Sequence, residues 1–277
     1  MDETDEDAPI KSVGKAMAIL DFLSEARRPM RVSEIAAGLS MSASAVSRLI
    51  ASLAKRDLVE QDEETGRCYL GLGLAVLGAN ALGRRSLDRI AMPVMDDLAN
   101  RSRGYVSLGR LSRGKVVLMR ALPAPLSQHG VNLIVVAPVH ACAPGKVLCG
   151  GLPSTEVSAL LAAEGMDPIT SHTLTDPAAF LDVVADARRS GFALDDEETA
   201  YHVRHVACPI FDHDGRVVAT LSAGGAAADF PRDQLPALVQ ALSRGCLRIS
   251  RDLGYTGDAT VDADTAAGLC EGVAAGG

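Results

Sequence analysis

No stretch of this 277-residue chain approaches the roughly eighteen consecutive apolar residues that a bilayer-crossing helix needs, so no membrane role is expected. The first ten residues, MDETDEDAPI, lack any basic side chain and carry five acids, the reverse of a secretory leader. The expected location is the cytoplasm. There is no Cys-x-x-Cys pair: Cys68, Cys142, Cys149, Cys208, Cys246 and Cys270 stand far apart, which indicates neither a zinc ribbon nor a disulfide framework. They read as reduced thiols. What the chain does have is 48% hydrophobic and 22% charged residues over a length too great for one average domain, which predicts two packed cores.

The net charge of −8 excludes a surface that is basic throughout, but it conceals an asymmetry. Residues 11–56 hold eight Lys/Arg against three acids, Asp21, Glu25 and Glu34. The helical periodicity of that region is clear. In SVGKAMAILDFLSEA, Val13, Met17, Leu20, Phe22 and Leu23 predict a first helix with an apolar stripe. RVSEIAAGLS predicts a short second helix capped by Ser33. In SASAVSRLIASLAKR, Val46, Leu49, Ile50 and Leu53 follow the i, i+3, i+4, i+7 rule and face inward, which turns Ser44, Ser47, Arg48, Ala51 and Lys55 outward. Two short strands, 58–61 and 67–70, then flank the turn DEETG. Three helices and a hairpin predict a winged helix-turn-helix, whose third helix is shaped for the major groove of DNA.

Beyond Leu70 two helices are expected, separated by a break near Pro93, the first joining the domains. Strands follow in YVSLGRLSRGKVVLMRAL and VNLIVVAPV, and helices in PGKVLCG and PSTEVSALLAAEG. A helix beginning at Pro177 has Asp176 as its cap and Gly191 as its stop. After GFALDDEE, a hairpin turns at Asp214-Gly215, and a final helix has Pro236 in its first turn and a stripe from Leu235 to Leu253. The fold class is α+β with a mainly antiparallel sheet in the second domain. The expected divisions are a disordered acidic N-terminus, 1–9; the winged helix domain, 10–71; a linker helix, 72–88; an effector domain, 89–255; and a disordered Gly/Ala/Asp-rich tail, 256–277.

The blocks SVGKAMAILDFL, SEIAAGLSMSASAVSRLIASLAKRDLVE, TGRCYLGLGLAVLG, HACAPGKVL, GFALDDEE and DGRVVATLSAGG resemble, in order and spacing, those of the IclR family of bacterial transcription regulators. The resemblance implies a GAF-like C-terminal domain that binds an effector. It also implies assembly as a homodimer or homotetramer on palindromic double-stranded operator DNA, and a role as a repressor or activator, with a catabolic operon as the expected target. On this reading Ser42, Ser44, Ser47 and Arg48 meet the groove, hydroxyls serving phosphate or base edges and arginine reading guanine. Arg67 is the candidate wing contact, since Asp62, Glu63 and Glu64 repel phosphate and must cap the turn or point elsewhere. The plainer reading makes Ser42 or Ser44 a cap and Arg48 a solvated charge.

Carrying the family's pocket over places Ala143, Pro144, Asp195, His205, Ser222 and Gly224 around the effector. Three of these depart from the commoner pattern: His205 stands where Cys or a small polar residue is frequent, Gly224 where a second hydroxyl is frequent, and Pro144 where a small residue is usual. A histidine, a serine and backbone N–H groups suit a carboxylate, and the space expected at Gly224 suits a small organic acid bulkier than a two-carbon one, aromatic acids included. The plainer alternatives are a core histidine at 205 and a turn or cap at Asp195.

No cofactor is expected. His202, His205 and Cys208 resemble a metal set, but on a strand 202 and 205 point to opposite faces. His140 and Cys142 suggest a thiol nucleophile without a third orienting group, and DDEET lacks the glycine turn of a calcium loop. The rival functions are a metabolite-processing enzyme domain fused to a DNA-binding module, and a protein-interaction module whose winged helix meets a partner protein.

Overall fold

The computed structural model describes residues 11–26, 28–82, 86–101, 104–121, 133–261 and 265. The chain divides into two compact units, Met1–Arg85 and Ser86–Gly277.

In the first unit, helices α1 (Lys11–Ala26), α2 (Val32–Gly38) and α3 (Ala43–Ala54) pack with a small sheet of β1 (Met30–Arg31), β2 (Val59–Gln61) and β3 (Arg67–Leu70), in the order β1-β3-β2. A helix α4 (Gly73–Leu82) follows. One core joins them: Ile19, Leu20 and Leu23 of α1, Ile35 and Ala36 of α2, Val46, Ile50 and Leu53 of α3, with Met30, Val59 and Cys68 from the sheet. The 3.6-residue period brings these side chains to one side, and their burial drives the three helices together.

Three local expectations change. Val13 and Met17 do not join the stripe but are exposed at 57% and 48%, because α2 and α3 cover the α1 face that carries Ile19, Leu20 and Leu23. Ser33 does not cap α2; the cap is Arg31, whose N–H donates to Glu34 Oε2 at 2.7 Å, because pairing of β1 with β3 already turns the chain there. That bond, above all, holds the Glu34 carboxyl below the usual carboxylate range. The wing strand starts at Val59, since the Leu58 N–H still closes the end of α3 on Leu53 O.

The second unit opens with α5 (Ser86–Arg101), which continues through Pro93 instead of breaking there. Pro93 lies on the exposed face, where the missing backbone bond is open to solvent. Strands β4 (Tyr105–Ser112), β5 (Lys115–Ala121) and β6 (Leu133–Ala137) come next, then helices α6 (Ala143–Gly150), α7 (Ser154–Glu164) and α8 (Pro177–Ser190). The chain then forms β7 (Ala193–Asp196), β8 (Val203–Phe211), β9 (Val217–Ala226) and α9 (Leu235–Asp252). Asp176 caps α8 from both carboxylate oxygens, and Gly191 ends it in the left-handed conformation, φ +77°.

The strands form one six-stranded sheet in the order β6-β5-β4-β9-β8-β7, antiparallel at each pairing. Alternation along the strands separates two cores. Val106, Val206, Cys208, Ile210 and Leu221 pack against Val94 and Met95 of α5 and Val239, Leu242, Cys246 and Ile249 of α9. Val116, Leu118 and Val139 pack with Leu148, Cys149, Val157, Phe180 and Val184 of α6, α7 and α8. Side chains of the intervening positions, among them Ser107, His205 and Ser222, share the second face with a pocket.

Candidate functional site

Ser42 is the N-cap of α3, its hydroxyl accepting from the Ala45 N–H at 3.3 Å and standing 3.3 Å from the Ser44 hydroxyl. Beyond the cap, Ser44, Ser47, Arg48, Ala51, Ser52, Lys55 and Arg56 are exposed, while Val46, Ile50 and Leu53 are buried beneath them. The Arg48 guanidinium makes no hydrogen bond or ion pair among the described residues. Across a cavity of about 550 Å³ from Ser42, α1 contributes Lys11 and Lys15, both exposed. Small side chains at the start of a helix, cations on two helices and an unengaged arginine form a surface that suits a polyanion entering closely.

The wing is a different surface. Asp62 folds onto its own turn, Oδ1 accepting from the Thr65 N–H at 2.6 Å and the Thr65 hydroxyl at 2.7 Å, and these bonds, the hydroxyl's first, hold its carboxyl below the usual range. Gly66 provides the required positive φ of +66°. Glu63 and Glu64 remain exposed at the tip. Arg67 is turned back: Nη1 donates to Pro29 O at 3.0 Å and lies 3.9 Å from Glu34 Oε2, so it braces the wing against the α1–α2 connection. Its side chain stays 37% exposed, and the cations without a side-chain bonding partner among the described residues on this unit's α3 and α1 faces are Arg48, Lys55, Lys11 and Lys15.

In the second unit, β-pairing places Asp195, His205, Gly224 and Tyr105 in one row across β7, β8, β9 and β4. The parallel row beside it contains Ala207, Ser222 and Ser107. Asp195 is fully buried; Oδ1 accepts from the N–H groups of Glu198 at 2.9 Å and Thr199 at 3.3 Å, and Oδ2 from the Thr199 hydroxyl at 2.5 Å. His205 Nδ1 lies 3.3 Å from Asp195 Oδ2, and Nε2 lies 2.6 Å from Tyr105 Oη.

These groups line a cavity of about 300 Å³, with Ser107, Ser222 and Thr199 adding hydroxyls and Leu118, Val135, Pro138, Ile169 and Val203 making apolar walls. Pro144, Asp195, His205 and Ser222 thus come together as read from the sequence, whereas Ala143 and Gly224 do not line the cavity. Ala143 packs into a buried alanine cluster with Ala187, Ala193 and Ala207, at the first turn of α6.

The space expected at Gly224 is already occupied. A Cβ there would lie 2.1 Å from Arg204 O and 2.5 Å from His205 Cδ2. With no side chain between them, the rings of His205 and Tyr105 meet across the glycine, centroids 5.4 Å apart. Gly224 therefore permits the imidazole–phenol contact and adds no space to the cavity. Gly224→Ala is expected to destabilise this unit by about 1–3 kcal/mol in urea unfolding and to separate the two rings.

Below the row, Lys146 of α6 is 2% exposed and donates to Leu194 O at 2.7 Å and to Glu198 Oε1. Burial pushes the Glu198 carboxyl up, opposed by the lysine, and Glu198 Oε2 has no partner among the described residues. Sequence reasoning missed Tyr105, Ser107, Thr199 and this ion pair. For Tyr105 and Ser107 a signal existed, since polar groups two apart at a strand's start share one face.

The sets considered for other chemistry are separated. His202 lies outside β8 with its side chain 93% exposed, His205 faces the cavity, and Cys208 is turned to α9, its Sγ 3.8 Å from Val239 O. Burial pushes the Cys142 thiol up to about 12, which removes the thiolate that a nucleophile requires, and His140 bonds the carbonyl of Asp167 at 3.1 Å.

Two family models match the chain: IclR helix-turn-helix domain over residues 12–63 and Bacterial transcriptional regulator IclR C-terminal over residues 79–251. The HTH-type transcriptional regulator XynR of Escherichia coli (strain K12) is 30% identical over 247 residues, 89% of this chain and 98% of XynR. The Glycerol operon regulatory protein of Streptomyces coelicolor is 32% identical over 249 residues, covering 88% and 97% of the two chains. The crystal structure of the Thermotoga maritima IclR superposes with a TM-score of 0.61 at 27% identity, covering 89% of this chain and all of that one.

Proposed function

The chain belongs to the IclR family of bacterial transcriptional regulators, and from that premise we propose that α3 reads a palindromic operator in a dimer or dimer of dimers whose affinity a small organic acid controls. Members of this family are ligand-responsive DNA-binding regulators and not enzymes. The observation that carries the DNA assignment is Arg48, exposed and unengaged on a helix face of small residues. The cavity supports an acid effector: hydroxyls gathered at one wall can bind a carboxylate, and the apolar remainder favours a compact hydrocarbon body, aromatic acids included. Control of an operon is supported by the relative named as a glycerol operon regulatory protein.

For coupling, the effector need only bind the two dimer states unequally. Self-association is supported by exposed apolar side chains on and beside α4: Leu72 at 75%, Val76 at 59% and Leu77 at 58%. Val76→Asp with Leu77→Asp is expected to weaken self-association at least tenfold, shifting the protein to monomer in sedimentation velocity while its thermal unfolding is little changed. An unchanged sedimentation coefficient would assign the dimer to another surface.

The central test is a gel shift on DNA from upstream of the protein's own gene, at two salt concentrations and with non-specific competitor. A discrete complex that resists competitor and weakens with salt supports operator recognition. Equal loss to competitor, there and across a genomic selection, removes it. A thermal-shift screen of organic acids tests the pocket, since a ligand at 100 times its Kd stabilises by about 2.7 kcal/mol.

A further inference from the structure

Building on the effector-pocket reading, we propose that the ligand is a monocarboxylate bound together with one proton, and that His205 is the residue that takes this proton up. The reason is the row Asp195–His205–Gly224–Tyr105. Both imidazole nitrogens are already engaged, Nδ1 with Asp195 and Nε2 with Tyr105, so His205 does not reach a ligand directly. Asp195 acts as the acceptor toward the Glu198 and Thr199 N–H groups and the Thr199 hydroxyl, which leaves Nδ1 to carry a proton and donate to it. The hydroxyls of Tyr105 and Ser222 line the cavity with His205, as do those of Ser107 and Thr199.

The charges around the ring determine what an arriving anion does. From β7 comes the carboxylate of Asp195, from β4 the phenol of Tyr105, from β9 the neutral Ser222. The α6 side contributes the Cys142 thiol, kept neutral by burial, and Lys146, whose charge is paired with Glu198 next to Asp195. On β8 itself, Arg204 is engaged with Asp196 at 2.7 Å. A ligand carboxylate against Tyr105 and Ser222 therefore places a second anion across the ring from Asp195.

Two anions flanking an imidazole in a poorly solvated cavity favour its cation, and the attraction is stronger there than in water. The proton comes from solvent, neutral His205 becomes the imidazolium, and no ligand bond breaks. The ring then donates through both nitrogens, and the phenol, accepting from Nε2, can donate to the carboxylate. One titrating ring compensates one added charge. A dicarboxylate would bring a second charge against apolar walls, and a neutral amide would bring none.

Isothermal titration of the full-length protein tests this with benzoate, salicylate and butyrate as probes and benzamide as the neutral control. Titrations run in HEPES and in Tris, whose ionisation enthalpies differ, between pH 7 and 8.5. The expected results are uptake approaching one proton per acid bound and a Kd that rises with pH, by up to about tenfold per unit. Benzamide is expected to bind with no proton uptake and a flat pH profile. In His205→Gln the acids are expected to lose their pH dependence. Tyr105→Phe, which keeps an aromatic ring over Gly224, is expected to weaken benzoate about tenfold and benzamide less than twofold. Acid binding with a buffer-independent enthalpy and a flat pH profile overturns proton uptake while the acid pocket stands. If none of the acids binds, the acid pocket and this inference fall together.

Discussion

Arg48→Ala is expected to lower affinity for the specific operator by about 5- to 150-fold, the 1–3 kcal/mol of a bidentate arginine–base contact, with no loss of folding or self-association. The fold should tolerate the change because the side chain is exposed and has no bonding partner among the described residues. Binding to competitor DNA should fall much less, since a guanidinium that reads a base adds more to the specific complex than to the non-specific one. Fluorescence anisotropy on operator and scrambled duplexes separates these effects. An equal loss on both duplexes would make Arg48 a phosphate contact, and no loss on either would remove Arg48 from the reading surface. Lys11→Ala with Lys15→Ala gives the contrasting expectation: weaker binding to both duplexes and a shallower salt dependence, as for phosphate contacts.

The second large effect is expected from Lys146→Ala, at about 3–5 kcal/mol of lost stability in the effector unit. The lysine is 2% exposed and serves both Leu194 O and Glu198, so its removal strands a buried carboxylate and a carbonyl. Wild-type Glu198 is already pushed up by burial, with Lys146 opposing the shift, and without the lysine it moves further up. A folded-state value above the unfolded one means that the penalty is absent while both states are protonated, below the ordinary carboxylate range. The penalty is fully present once pH has risen past the folded value. The variant should therefore be closer to wild type at pH 5 than at pH 8 in urea unfolding. Replacing both partners, Lys146→Met with Glu198→Leu, should recover much of the loss, because no buried charge then lacks its partner. If the single variant were as stable as wild type at pH 8, the pair would not be buried in solution.

These two sites differ in how far they could be read in advance. The α3 face follows from a local repeat: once Val46, Ile50 and Leu53 point inward, the 3.6-residue period places Ser47 and Arg48 outside. Local chemistry likewise offered Ser42 or Ser44 as a cap, of which the structure uses Ser42, and located Asp176 and Gly191 at the ends of α8 and Gly215 in the hairpin, φ +75°. The Lys146–Glu198 pair has no such signal, because its partners come from α6 and from the turn after β7, and a lysine in APGKVLCG looks like any solvated helix residue. Arg67 shows the same limit from the other direction. Its place beside Gly66 suggested a wing contact, and a carbonyl at Pro29, far along the chain, claims its guanidinium.

The sequence by itself determined the two-domain α+β plan, the winged helix with its basic helix face, the antiparallel sheet, and four of the cavity residues. Each of these depends on short-range period, cap and turn chemistry, or on blocks that a family shares. Only the tertiary structure decided that Gly224 is the gap across which His205 and Tyr105 touch, that Asp195 holds the imidazole from its far side, and that Arg67 of the wing donates to Pro29 O. The meeting of Tyr105 with His205 is set by strand register between β4 and β9, more than a hundred residues apart in the chain. Register follows from which faces become buried together, and a one-residue slip of β4 would have turned Tyr105 and Ser107 into the opposite core.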